Sequence, residues 1–124
     1  MKRLIAAAVL AVFIAAIYFT GNYYTKKVVD KSNEILKMCT IDYENQSDVT
    51  AQAQKLKKYW SENEGFLSIF AYHGHIDEIE QAINTMVIYA KTKNSELFYE
   101  YSDTVKTLLH QLYEDNSFSM HSIL

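Results

Sequence analysis

A chain of 124 residues with a formal charge of −3, from 12 Lys and Arg against 15 Asp and Glu, has room for one small domain and no excess of base to hold nucleic acid. With no proline and only three glycines it lacks the turn residues that a β-fold consumes, and its Leu, Ile, Ala, Lys, Glu and Gln favour helix, so the composition predicts an all-α fold. The single cysteine, Cys39, excludes an intrachain disulfide and a cysteine-rich zinc knuckle, leaving a small buried hydrophobe or a link between two chains as its readings.

The first element is apolar. Residues 4–19 contain only Leu, Ile, Ala, Val, Phe and Tyr, and Thr20, Gly21, Asn22, Tyr23 and Tyr24 carry the run to Lys26 and Lys27. As a helix rising about 1.5 Å per residue, residues 4–24 span about 30 Å, the hydrocarbon thickness of a bilayer. Tyr18, Tyr23 and Tyr24 lie where amphipathic rings prefer the headgroup layer. A cleaved signal peptide competes with this reading, because Lys2 and Arg3 ahead of an apolar run also form a signal's basic start. Ile17, Tyr18 and Phe19 place bulk where a peptidase needs small residues, which favours an uncleaved anchor. The absence of a cysteine at the end of the run excludes a lipoprotein. Lys2 and Arg3 on one side nearly balance Lys26, Lys27 and Lys31 on the other. A signal-like first segment keeps its short basic end in the cytoplasm, which predicts a cell-membrane protein with its C-terminal domain outside.

Beyond the anchor, Val28, Ile35, Leu36, Met38 and Cys39 recur at helical spacing without a breaker, so the membrane helix is expected to run on to about residue 41. The polar stretch 42–48 reads as a loop in which Ser47 or Asp48 caps the next helix. Val49, Ala53, Leu56 and Trp60 then form an apolar stripe opposed by Lys55, Lys57 and Lys58. Glu62, Asn63, Glu64 and Gly65 are expected to end that helix, with Phe66, Leu67, Ile69 and Phe70 as a buried connector or a helical turn. A third helix after Gly74 carries Ile76, Ile79, Ile83, Met86 and Ala90, and Asp77, Glu78 and Glu80 suit its positive end. Polarity places a turn at Lys93 and Asn94, with Ser95 as the cap. Phe98, Tyr101, Val105, Leu108 and Leu112 mark the last helix, which should close an antiparallel hairpin with the third. The predicted architecture is an N-terminal transmembrane helix (residues 1–24), a three- or four-helix bundle (25–116) and a C-terminal tail (117–124).

Charge divides unevenly along this domain. Residues 26–58 hold seven lysines and five acids, a net of +2, whereas residues 59–124 hold three lysines and ten acids, a net of −7. In chain order the basic half follows the anchor, so either it lies against the membrane with the acidic half pointing away, or the domain simply has a solvated surface with uneven charges.

Candidate chemistry is sparse. His73, His75, Asp77, Glu78 and Glu80 are the only local concentration of metal-type ligands, and His75 and Glu78 would share a helical face. A metal site in a helical bundle draws on two or more helices, and no second set of such residues is present, so no metal or cofactor is expected. There is no Gly-x-Ser-x-Gly elbow, no glycine-rich phosphate loop and no Cys and His pairing, so no catalytic residue is assigned. Trp60 on an apolar stripe reads as core more readily than as a recognition residue.

The basic start, the apolar anchor, Trp60 near mid-chain, the apolar connector, His75-Ile76-Asp77-Glu78-Ile79 opening a helix and the closing Ser122-Ile123-Leu124 together resemble a bacterial family of small membrane-anchored proteins, domain of unknown function family 4363. The resemblance implies an envelope location and a helical domain outside the cytoplasm; it brings no activity or cofactor. The expected function is that of a non-enzymatic single-pass membrane protein whose domain binds an envelope or membrane protein, or a second copy of itself. Trp60, Phe66, Phe70 and His75 form the candidate interaction surface, because residues around a connector between packed helices often carry function. A small metal-dependent or hydrolytic envelope enzyme, or a ligand-sensing accessory subunit of a membrane protein, is the rival reading.

Overall fold

A computed structural model describes residues 1–44, 49–70 and 73–123, with the side chains of residues 42, 44, 70, 73 and 115–123 outside that description. Four helices follow in chain order: α1 (Lys2–Glu44), α2 (Val49–Phe70), α3 (His73–Lys91) and α4 (Ser95–Ile123). Helix α1 packs on α2 and α4, and α3 packs on the same two, with no contact across either diagonal among the described residues. Short connections between successive helices make neighbours antiparallel, so the chain runs up, down, up and down around a square core.

Two rings contacts fix the register. Tyr24, early in α1, sets its ring edge-on to Phe66, late in α2, at 4.5 Å between centroids. Tyr43, at the far end of α1, stacks on Phe98 at the start of α4 at 4.7 Å. Helix α1 is much longer than its neighbours, and burial divides it. Every residue up to Thr20 is exposed, including Leu4, Val12, Phe13 and Phe19 at 60 % or more. Burial begins at Gly21 and continues through Thr25, Val28, Val29, Ser32, Ile35, Leu36 and Cys39. The packed part, residues 21–44, is about 36 Å long, close to the roughly 33 Å of α2. The end of the bundle next to Gly21 is called the proximal end below.

The apolar stripes meet in one core. Leu56 and Trp60 from α2, Ile79, Ile83 and Met86 from α3, and Phe98, Val105, Leu109 and Leu112 from α4 are all 1 % exposed or less. Each such side chain stabilises the fold by roughly 1.5–3 kcal/mol through removal from water. Several hydroxyls within the helices are satisfied locally, with Ser102 Oγ donating to the Phe98 carbonyl at 2.8 Å and Ser68 Oγ to that of Glu64 at 2.7 Å, whereas the buried Ser32 Oγ has no partner.

The turn between α3 and α4 is built from both helix ends. Lys93 has φ 57° and closes α3, its N–H donating to the Ala90 carbonyl at 3.4 Å while the Asn94 N–H donates to that of Tyr89 at 3.1 Å. This is the two-bond Schellman arrangement, with lysine where glycine is usual. Asn94 then opens α4, its Oδ1 accepting from the Leu97 N–H at 3.3 Å and its carbonyl from the Phe98 N–H at 2.9 Å.

Several expectations change. Helix α1 continues through Asp42, Tyr43 and Glu44, where a loop was expected; Asn45, Gln46, Ser47 and Asp48, and with them the expected cap, lie outside the described residues. Helix α2 does not stop at Gly65 but runs on to Phe70, so the apolar connector is its last turn and a half. The cap of α4 is Asn94 rather than Ser95. Residues 117–123, read as a tail, continue α4. The charge expectation also changes: Lys26, Lys27 and Lys31 lie next to the apolar segment, but because α2 returns toward Gly21, Glu62, Glu64, Asp77 and Glu80 come down to the same proximal end.

Candidate functional site

The proximal end is where polar and aromatic groups from three helices converge. Tyr24 Oη donates to Asn63 Oδ1, and Asn63 Nδ2 donates back along its own helix to the Tyr59 carbonyl at 2.7 Å. Tyr59 stands beside them on α2, half-buried, and burial, then the neighbouring Tyr24, push its hydroxyl above the ordinary value of 10.0. One step along α2, Glu64 reaches α3. Burial raises its carboxyl above the ordinary 4.5, and Glu80 adds to this by its charge and by a hydrogen bond to the protonated form, with Asp77 contributing further. Its Oε2 is closed off from solvent without a hydrogen-bond partner. The arrangement sets carboxyls of α2 and α3 near one another, which favours the protonated form of Glu64.

A groove of about 580 Å³ runs along the seam of α1 and α2 at the same end, lined by Tyr23, Lys26, Lys27, Asp30, Lys31, Glu34 and Tyr59. A second, of about 710 Å³, lies between α1 and α4 toward the other end, lined by Asn33, Leu36, Lys37, Thr40, Ile41, Ser102, Asp103 and Lys106.

A family model described as a domain of unknown function, DUF4363, matches residues 18–123. The chain belongs to the DUF4363 family. No curated protein and no solved structure matches it. The matched stretch begins at Tyr18, three residues before burial starts at Gly21, so the DUF4363 domain coincides with the packed bundle rather than with the exposed apolar run.

Of the residues singled out from sequence within the DUF4363 domain, Trp60 does not reach the surface. Trp60 is 1 % exposed at the centre of the core, with its Nε1 lacking an acceptor. Phe66 is 43 % exposed and rests against Tyr24, and His75 is half-buried in the first turn of α3. The side chain of Phe70 lies outside the described residues. Among the described residues no three of His, Cys, Asp and Glu are grouped as metal ligands would be, and Cys39 is buried in the core. What the sequence reading missed is the set Tyr24, Tyr59, Asn63, Glu64 and Glu80. Tyr24, the α2 group Tyr59, Asn63 and Glu64, and Glu80 lie far apart in the chain and come together only through the antiparallel register. The nearest signal was polar Asn63 and Glu64 in the middle of a good helical period, which was read as a helix end.

Proposed function

We propose that this DUF4363 protein is a single-pass bacterial envelope protein that acts by binding, its four-helix domain held outside the cytoplasm directly against the membrane. The observation that carries this reading is the division of α1. The apolar side chains of residues 4–19 are exposed, in a helix long and apolar enough to cross a bilayer, while the same helix from Gly21 onward is packed on α2 and α4. Apolar surface of that extent is stable in lipid, not in water. The basic residues ahead of the run support an N-terminus in the cytoplasm.

The binding surface we favour is the groove between α1 and α4, because Ile41, which lines it, is 40 % exposed, and Met38 and Tyr99 nearby are 45 % and 36 % exposed. Its partner in this reading is another envelope or membrane protein, or a second copy of the chain. The reading assigns no catalytic step. Two measurements test it together. Enzymatic reporters fused after Leu124 should be active only outside the cytoplasm. Capture of the tagged full chain in mild detergent should recover one stoichiometric partner that is lost in an Ile41→Glu variant of unchanged helicity. Cytoplasmic reporter activity would overturn the topology, and capture indifferent to Ile41→Glu would overturn the surface.

A further inference from the structure

The groove at the proximal end has an order of charge along its length. Tyr23, 73 % exposed, lies nearest the apolar segment; Lys26 and Lys27 come next, then Asp30 and Lys31, and Glu34 is farthest out. All six are on one helix. With the apolar stretch ending at Tyr24, the helical rise puts Lys26 and Lys27 about 3–5 Å beyond it and Asp30 about 9 Å beyond it. A headgroup layer is roughly 5–8 Å deep on each side of the hydrocarbon. The groove therefore opens at the headgroup layer, with phosphate level with the two lysines and Asp30 at the outer edge of the layer, where a group attached to the phosphate extends. Glu34, at about 15 Å, stands clear of that layer. Among the described residues none of these five charges makes an ion pair, although Lys26 and Asp30 are one helical turn apart. Tyr59 of α2 closes the side of the groove, and Phe66, seven residues on, continues its face toward the membrane beside Tyr24.

We infer that this groove binds the headgroup of an aminophospholipid, with Lys26 and Lys27 on the phosphate and Asp30 on the ammonium. Beyond Lys26 and Lys27 the groove carries Asp30 and Glu34 against Lys31, a net of −1, and this outer negative charge, with Glu62, Glu64, Asp77 and Glu80 at the same end of the bundle, disfavours a purely anionic lipid. A zwitterion with phosphate inward and amine outward matches the order of charges. The ammonium is small enough to hydrogen-bond a carboxylate, whereas a choline headgroup offers no N–H to donate. The inference rests on the single-span reading of α1.

The test uses the full chain in nanodiscs made from equal parts of phosphatidylethanolamine, phosphatidylglycerol and phosphatidylcholine. Lipid retained after extraction into mild detergent is then quantified by mass spectrometry. Retention of phosphatidylethanolamine should exceed that of each other lipid by about fivefold, the size of one headgroup-level charge contact. Asp30→Asn should bring it down to the level of phosphatidylcholine, and Lys27→Glu should remove it, with Lys27→Met as a milder variant if the charge reversal disturbs helicity. Equal retention of the three lipids, or a preference for phosphatidylglycerol that Asp30→Asn leaves intact, would overturn the assignment. Soluble phosphoethanolamine titrated into the lipid-free detergent complex separates the two sources of this chemistry: variant-sensitive binding there without lipid preference in the nanodiscs would also overturn it. Alkaline carbonate extraction of cell membranes distinguishes the underlying reading. Release of the wild-type chain would remove the membrane span itself, whereas retention alongside equal lipid binding would remove only the headgroup site.

Discussion

Two side chains show how far a residue's surroundings decide its meaning. Trp60 is the largest fully buried residue, so Trp60→Ala should cost about 3–5 kcal/mol, from lost burial and the cavity left behind. Trp60→Phe should cost clearly less, because the indole N–H that it removes has no acceptor. Thermal unfolding of the full chain in detergent, followed by circular dichroism, would rank the two; equal losses would contradict the core role. Glu64 presents the opposite case, a group whose placement opposes its charge. Its carboxyl titrates above 4.5 in the folded chain, so the folded state holds the proton to higher pH than the unfolded one. The stability it contributes is full below about pH 4.5 and is lost as pH rises through the raised value. Glu64→Gln, which keeps the shape and removes the charge, should therefore raise the melting temperature at pH 7 and change it little at about pH 4. A variant that melts lower than wild type at pH 7 would show that the carboxylate is held by a favourable partner.

At the level of the helices, the two informative positions are Gly65 and Lys93. Gly65 lies inside α2, exposed, and a Cβ built there meets nothing within 4 Å. Gly65→Ala should stabilise the chain by about 0.5–1 kcal/mol, because alanine loses less backbone freedom on folding. Lys93 is the converse, a side-chain-bearing residue at φ 57°, and Lys93→Gly should gain roughly 1 kcal/mol by relieving the left-handed backbone. Melting temperatures again decide, and a loss at Gly65→Ala would mean that α2 breaks there after all. These positions also mark how legible the fold was. The stripes Val49, Ala53, Leu56, Trp60 and Phe98, Tyr101, Val105, Leu108, Leu112 announced their helices, and the hairpin of α3 and α4 followed from them. The end of α2 was misplaced because glycine and a cluster of polar residues signal a stop only when no neighbour packs beyond them. Here Leu67, fully buried, draws the helix onward. The cap at Asn94 was off by one residue because Asn94 and Ser95 are both good caps. The proximal cluster was illegible for another reason: no local pattern tells which residue of α2 faces Tyr24.

For the molecule as a whole, the antiparallel return of α2 matters more than the composition of either half of the chain. It brings Glu62, Glu64, Asp77 and Glu80 on α2 and α3 to the same end as Lys26, Lys27 and Lys31, which lie with Asp30 and Glu34 along α1, where chain order alone would separate them. The proximal end is thus polarised across its width rather than along the bundle. This arrangement places the groove lysines under partial neutralisation by nearby acids, so their interactions should weaken only modestly with added salt. Retention of phosphatidylethanolamine should fall by less than about twofold between 0.05 and 0.5 M sodium chloride; a steep fall would indicate simple adsorption of exposed charge.

The unbroken course of α1 through Thr20, Gly21 and Asn22 has a geometric consequence. With no joint between the apolar segment and the bundle, the azimuth and height of the whole domain are locked to the rotational setting of one helix in the bilayer. One alanine inserted between Thr20 and Gly21 would turn the domain by about 100° and lift it by about 1.5 Å without altering any contact inside it. Four would restore the facing to within about 40° at a height of about 6 Å. A chain that works by presenting one side to a neighbour should thus respond to such insertions with a period near that of the helix, losing its partner out of phase and regaining it in phase.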